Sequence, residues 1–396
     1  MTSATSTALR LPGGGRVLAG FLLSGFLMAL LGALLPAWGY HRDPPQFIRV
    51  GNYFLSLAGG ITVSALVSRR LMENRGLTFQ LVCACILACL SLTLLALSST
   101  SAGSESWRFP GLILLGFAAG LLNVALFQGI SARYRADAAG TITRVGIWYG
   151  LGCLAATVLV AGTFYAYSVA AIVALMATAP AIFGFVYSRT TYGNVSEERN
   201  ATLRQAIADF RSPGAVLFAM LLFFQFGNEW SIAGWLPLFL IRRVGQSPSG
   251  ALMTLALYWL FLMAGRLLAT PLLPRVKHGW LLFGSGFAAM LGCIILFFTT
   301  NAFGAALSVL FIGAGYASIY PLVAEAIGRR FPYYHPGLFN GVFSLALVGG
   351  LVAPATLGYA ANSLGVGVVV GIPLIGAILV MALLLLIWLE SKITGR

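Results

Sequence analysis

The sequence predicts an all-α integral membrane protein of twelve transmembrane helices, built as two six-helix bundles related by a pseudo-twofold axis. Three observations predict it: a near absence of charge, apolar runs of bilayer-spanning length from end to end, and an ordered similarity between the two halves of the chain.

Of 396 residues, 59% are hydrophobic and only 9% charged, with a mean hydropathy of +0.91. Soluble domains carry roughly a quarter charged residues, so too few charges are present here to cover a water-exposed surface. Apolar runs of about 20 residues, each long enough for a hydrocarbon core of roughly 30 Å, recur throughout. They place spans at 16–40, 48–68, 77–98, 109–131, 144–166 and 168–188, then 213–240, 249–272, 279–299, 302–326, 338–362 and 366–390. The first run follows Arg10 and Arg16, as a signal peptide's apolar region would, but it is about twice as long as such regions, typically about 7–15 residues, and reads as a span.

A net charge of +14 would suggest nucleic acid in a soluble protein, but placement excludes that partner. With both termini set in the cytoplasm, Arg42, Arg49, Arg108, Arg242 and Arg243 fall outside, Arg266 falls within a span, and every other Lys and Arg is cytoplasmic. That is the positive-inside bias of a multi-pass protein of the cell membrane. Cys83, Cys85, Cys89, Cys153 and Cys293 all lie in apolar spans, where a thiol behaves as a small hydrophobe, so no metal site is expected.

The longest polar stretch separates the sixth and seventh spans. It divides the chain into an N-terminal bundle, 1–188, a cytoplasmic linker, 189–212, and a C-terminal bundle, 213–396, and its 200–211 portion has the pattern of a surface amphipathic helix. An offset of 205 places Tyr53, Leu55, Leu57, Gly60 and Arg70 on Tyr258, Leu260, Leu262, Gly265 and Arg275. An offset of 197 places Gly116, Ile130 and Arg133 on Gly313, Ile327 and Arg330, with Gln128 on Glu325, and an offset of 201 places Leu35-Pro36 on Leu236-Pro237. Three matches in the same order argue for a parallel duplication, the construction of the major facilitator architecture, whose solute site lies between bundles near mid-membrane. Gly116, Gly120, Gly313 and Gly315 are expected to let helix backbones approach closely.

Glu229, Arg266 and Glu325 are the ionisable residues placed in or just inside the hydrocarbon, each costly there. Glu229 lies about 22 Å along its span at 1.5 Å per residue, near the midplane, and Met28 takes the corresponding place in span 1. It is the candidate for proton coupling and for accepting substrate hydroxyls, against the alternative of a carboxyl that only orders the bundle. Arg266 and Glu325 are placed near the inner mouth, where they are expected to form a gating pair or, equally, to snorkel separately. Asn123, Trp148, Tyr149, Gln225, Asn228, Tyr258, Trp259, Tyr316 and Tyr320 fall at similar depth. Aromatic faces, amides and one carboxylate suit a neutral polyol such as a sugar. No phosphate loop, zinc motif or catalytic Ser/His/Asp set is present, and His41, His278 and His335 lie in or beside loops, so neither an enzyme nor a cofactor is expected.

The stretch Phe226-Gly-Asn-Glu-Trp-Ser-Ile-Ala-Gly-Trp-Leu-Pro-Leu-Phe-Leu240 resembles the aromatic-x-Gly-x-Glu motif of major facilitator proteins in the fucose:proton symporter and sugar-transporter group. Ala264-Gly265-Arg266-Leu267-Leu268 and Gly313-Ala314-Gly315 through Tyr320-Pro321 are similar too. The resemblance implies rocker-switch transport of a monosaccharide or similar solute with proton coupling. The chain departs from that group in having no acid in span 1 or span 4, and Ser64 and Ala269 stand where the loop motif following Gly60 and Gly265 has Asp. Coupling then moves to Glu229 or is absent. The expectation is a monomeric secondary transporter, surrounded by lipid, of a small polar solute such as a sugar. An exporter of amphiphiles or lipids and a non-transporting membrane receptor are the alternatives.

Overall fold

In the computed structural model, residues 14–100, 102–190, 192, 203–338 and 340–394 are described. The long helices are α1 (Gly14–Ala37), α2 (Phe47–Leu97), α3 (Arg108–Gly129), α5 (Ala138–Thr163), α9 (Pro213–Phe239), α10 (Pro248–Leu272), α11 (His278–Phe298), α12 (Ala302–Arg330), α13 (Val342–Leu364) and α14 (Val368–Thr394). Short helices α4 (Ser131–Ala136), α6 (Val169–Met176), α7 (Thr178–Ser188) and α8 (Leu203–Asp209) complete them. Eleven helical segments are long and apolar enough to cross a bilayer, α6 and α7 together forming one of them. The 51-residue α2 is broken at Gly76, where φ is 80° and ψ 173°, so twelve spans result. The chain reverses there: Gln80 Nε2 donates to Ser68 Oγ and, at 2.9 Å, to the Leu121 carbonyl. Residues twelve apart in a straight helix would stand about 18 Å apart.

The expected spans recur within a few residues, with two informative shifts. The first arm of α2 runs on past 68 to the Gly76 reversal, because Arg69 and Glu73, paired at 2.7 Å, hold another turn in the polar layer. The fifth span begins earlier, at Ala138, because Asp137 caps it by accepting from the Gly140 amide at 2.9 Å. The proposed surface helix is described only from Leu203 to Asp209.

The repeat seen in sequence is also a repeat of contacts. A Cβ on Gly116 would overlap the Leu57 carbonyl oxygen of α2, and one on Gly313 would lie 2.8 Å from the Tyr258 carbonyl oxygen and 2.9 Å from the Leu262 nitrogen of α10. Leu57 and Leu262 are the partners under the same offset that pairs Gly60 with Gly265. Gly60 in turn presses on Ile113 and Phe117 of α3, and Gly265 on Ala314 and Ala317 of α12. Lipid supplies no hydrophobic drive between helices, so close backbone packing at small residues has to hold such pairs together. Across the bundles, α5 packs on α10 and α12, α2 on α13, and α1 on α9.

Candidate functional site

Between the first six and the last six spans lies a cavity of ≈ 980 Å³ of empty space, counted with its opening. Its walls are mostly apolar, with Phe21, Met28, Ile61, Phe127 and Leu347 among them. Two charges stand on this wall, Glu229 from α9 and Arg266 from α10, accompanied by Ser24, Ser64, Asn123, Tyr149, Trp230 and Tyr320. Glu229 is 5% exposed, and its Oε2 has no hydrogen-bond partner among the described residues. It lies within electrostatic reach of Arg266, yet no ion pair within 4.0 Å joins them among the described residues. Met28, one 201-residue offset away, shares the cavity wall with Glu229. The duplication therefore puts both positions at the same site and charges only one.

Arg266 is 4% exposed and is held by backbone from two other spans: Nη1 donates to the Gly146 carbonyl of α5 at 2.7 Å, and Nε to the Ala317 carbonyl of α12 at 3.4 Å. This corrects the expected Arg266–Glu325 pair. Glu325 is bound instead by Arg329, one turn on, and lies 3.2 Å from His278 Nδ1. The sequence placed both residues near one mouth, but a local i,i+4 partner on the same helix is closer to hand for Glu325. Arg266 bridges the two bundles rather than the charges of one.

Of the expected substrate residues, Glu229, Asn123, Tyr149 and Tyr320 line the cavity, and Tyr320 leans on Phe226 with ring centroids 4.8 Å apart. The others do not line it. Trp148 is 37% exposed on the outer surface, since adjacent helical residues point about 100° apart and Tyr149 takes the inner direction. Asn228 packs against Gly376 of α14. The Tyr316 hydroxyl faces Cys293 Sγ at 3.9 Å. Gln225, Tyr258 and Trp259 lie behind the wall, Gln225 beside the Glu229 carboxyl, and Tyr258 OH and Trp259 Nε1 have no hydrogen-bond partner among the described residues. Trp259 meets Tyr149 edge-on at 6.5 Å. Sequence reasoning missed Ser24 and Ser64 as lining residues. The period of α1 and α2 could have placed the two serines on an inward face, but nothing in the sequence says which face looks across at the other bundle.

Contacts between the bundles lie on both sides of the cavity. Toward the end where α9 closes, Trp235 stacks on Phe54 at 5.9 Å and donates Nε1 to the Pro354 carbonyl at 2.8 Å. Beyond it, Arg242 reaches the His41 carbonyl at 3.0 Å and Asp43 Oδ1 at 2.8 Å. Toward the end bearing the termini, Tyr134 OH donates to the Ala324 carbonyl at 3.3 Å. The loop after α12 sets His335 edge-on to Tyr134 at 5.1 Å and to Phe127 at 6.1 Å, and Phe127 lines the cavity. His335 Nδ1 accepts from the Gly337 amide at 3.2 Å, and its Nε2 has no partner among the described residues.

Burial, reinforced by the nearby Arg135 charge, pushes the His335 imidazole down to about 3. Its folded-state pKa is thus below the unfolded value, so the unfolded chain binds the extra proton between the two. Stability is complete above about pH 6.5 and falls as pH drops from there toward 3. Thermal melts from pH 7.5 to 4.5 are expected to show this loss, and His335→Gln is expected to flatten it. An unchanged slope in His335→Gln would assign the acid sensitivity to another group.

The description Major Facilitator Superfamily matches residues 144–354. A glucose/galactose transporter of Brucella abortus is 29% identical over 168 residues, 40% of this chain and 39% of its own length. An uncharacterized MFS-type transporter of Yersinia pestis is 25% identical over 159 residues, 40% of this chain and 41% of its own. Each match thus spans about two fifths of the relative. Among solved structures, an outward-conformation structure of the major facilitator transporter FucP superimposes with a TM-score of 0.67 at 14% identity, covering 94% of this chain and 98% of that one. The nucleoside transporter NupG superimposes with a TM-score of 0.68 at 13% identity, covering 93% and 99%. These likenesses show the fold. With more than half of its length matched, a duplicated twelve-span bundle and a cavity between the repeats, the chain is a multi-pass membrane protein that belongs to the Major Facilitator Superfamily of transporters.

Proposed function

We propose that the protein moves a small polyhydroxylated solute of sugar type across the cell membrane by alternating access, with a proton carried on Glu229. In this reading the bundles 1–188 and 213–396 rock about the cavity, 189–212 tethers them, both termini are cytoplasmic, and Arg266, which reaches from one bundle to the other, belongs to the moving contacts. The observation that carries it is the Glu229 carboxyl on the wall of a cavity between the repeats, its Oε2 without a hydrogen-bond partner among the described residues. A carboxyl in such a place is neutral, paired or solvated, and transport lets it exchange among those states. Around it stand Arg266, Tyr149, Cys153, Tyr258, Tyr316 and Tyr320. Tyr258 and Trp259, whose OH and Nε1 are buried without hydrogen-bond partners among the described residues, are a second set of polar groups available when the wall rearranges, since each unpaired group costs about 1–3 kcal/mol where it now lies. A glucose/galactose transporter among the sequence relatives and a fucose:proton symporter among the structural neighbours support the sugar class.

The test is uptake into proteoliposomes over a panel of labelled sugars, with and without an inward proton gradient. Concentrative uptake of at least one sugar only with the gradient is the expected result. Uptake that equilibrates but never concentrates would leave a facilitator and remove the proton. The apolar walls, with Phe21, Phe127, Met28 and Leu347, favour a second reading, an exporter of amphiphiles. It predicts that lipophilic compounds, and not sugars, compete for the cavity.

A further inference from the structure

Arg266 is held as a receptor would be held. Its Nη1 and Nε donate to the carbonyls of Gly146 and Ala317, which are neutral acceptors and supply no counter-charge. Its Nη2 makes no hydrogen bond among the described residues, and it is not among the buried atoms that lack a partner. Arg266 lines the cavity, and Nη2 is the guanidinium nitrogen left without a protein acceptor among the described residues. Gly146 makes the seat possible, because a Cβ there would overlap Nη1 and lie 2.5 Å from Cζ and 2.6 Å from Nε. A guanidinium whose task was to neutralise Glu229 would close a bidentate pair with it, the strongest geometry open to the two groups. Here the two charges share a cavity wall without an ion pair, and the Glu229 Oε2 has no partner either.

We infer that the solute carries a carboxylate, received by Nη2 of Arg266, and that its hydroxyl-bearing part lies toward Glu229, Asn123 and Tyr149. The substrate class is that of sugar acids and related hydroxy acids rather than neutral sugars. This rests on the cavity being the solute site, as proposed above. Charge balance supports it. The empty wall is neutral when Glu229 is ionised opposite Arg266, and the loaded wall is neutral again when a solute carboxylate sits on Arg266 and Glu229 holds a proton. Arginine suits this role because its planar, permanently charged fork can be anchored through two nitrogens and still present a third.

The experiment uses the purified full chain in detergent and matched solutes: glucose, galactose, glucuronate, galacturonate, gluconate and glucosamine. Ligand-induced shifts in melting temperature give apparent affinities for the wild type, Arg266→Gln, Arg266→Lys and Gly146→Ala. The expected result is that at least one acid binds the wild type at least tenfold more tightly than its neutral counterpart, and that glucosamine does not bind better than glucose. Arg266→Gln is expected to erase the difference by weakening acid binding at least tenfold more than neutral binding. Gly146→Ala, which displaces the guanidinium and keeps its charge, is expected to weaken acid binding selectively.

Neutral sugars binding as well as or better than their acids overturns the inference, as does an acid preference that survives in Arg266→Gln or an equal weakening of both classes in that variant. If Arg266→Gln fails to fold, the wild-type comparison and Gly146→Ala decide it. Binding of neutral sugars alone sinks this inference and leaves the sugar-transport reading intact. Binding of neither sugars nor acids sinks both.

Discussion

Glu229→Gln is expected to abolish concentrative uptake while leaving solute exchange in place. Gln keeps the size and hydrogen-bonding capacity of the side chain but cannot bind and release a proton. A gradient of two pH units stores about 2.7 kcal/mol per proton, which limits one-proton coupling to roughly hundredfold accumulation. Loss of the carrier group should bring the accumulation ratio to about one. Counterflow of labelled solute against unlabelled solute, which needs only the loaded carrier to reorient, should persist. If Glu229→Gln still concentrates solute, the proton is carried elsewhere; if accumulation and exchange are both unchanged, Glu229 is not part of the site. The position has no charged understudy in the repeat, because its counterpart on the cavity wall is Met28.

The second large effect is structural and discriminates between two adjacent glycines. Gly60 faces α3 so closely that a Cβ would overlap the Ile113 carbonyl oxygen and lie 2.7 Å from the Phe117 nitrogen, whereas Gly59 has nothing within 4 Å. Backbone cannot move aside as a flexible side chain can. Gly60→Leu is expected to abolish the folded peak in size-exclusion chromatography, and Gly59→Leu to leave it within experimental scatter. Gly60→Ala, which adds only the Cβ, should fold and melt lower, by an overpacking cost of about 1–3 kcal/mol. The duplicated contact is looser in the other bundle, where a Cβ on Gly265 would lie 2.7 Å from the Ala317 Cβ and 3.1 Å from the Ala314 Cα, so Gly265→Leu is expected to destabilise, but less than Gly60→Leu. Equal tolerance at Gly59 and Gly60 would refute the close α2–α3 approach.

Much of this architecture was legible along the chain because the bilayer imposes one rule on every span. Backbone groups in hydrocarbon must be satisfied within the segment, so twenty apolar residues become a helix whatever their neighbours. Periodic small residues then announce where helices touch, and Gly116 and Gly313 do meet the partners that their offsets imply. Glu229 was legible for the same reason, since a carboxyl so deep in a span has a large cost to offset. Depth alone could not say where a side chain points. Trp148 and Tyr149 are neighbours at one depth, and only the rotation of α5 within the bundle sends one outward and the other to the cavity. Asn228 and Glu229 are separated in the same way, by α14 on one side and the cavity on the other.

The sequence by itself determined the solvent, the number of spans, the duplication and the asymmetry that puts Glu229 and Arg266, deep in their spans, in the second repeat. The tertiary structure decided which of those charges act together. It seated Arg266 on carbonyls of α5 and α12, left Glu325 to Arg329 and His278, and gathered Glu229 and Arg266 on one wall. The physical reason is that composition and length follow from the chain's own contact with lipid. A hydrogen bond from one bundle to a backbone carbonyl of the other depends on how two separately formed surfaces dock, and no periodicity in either records that.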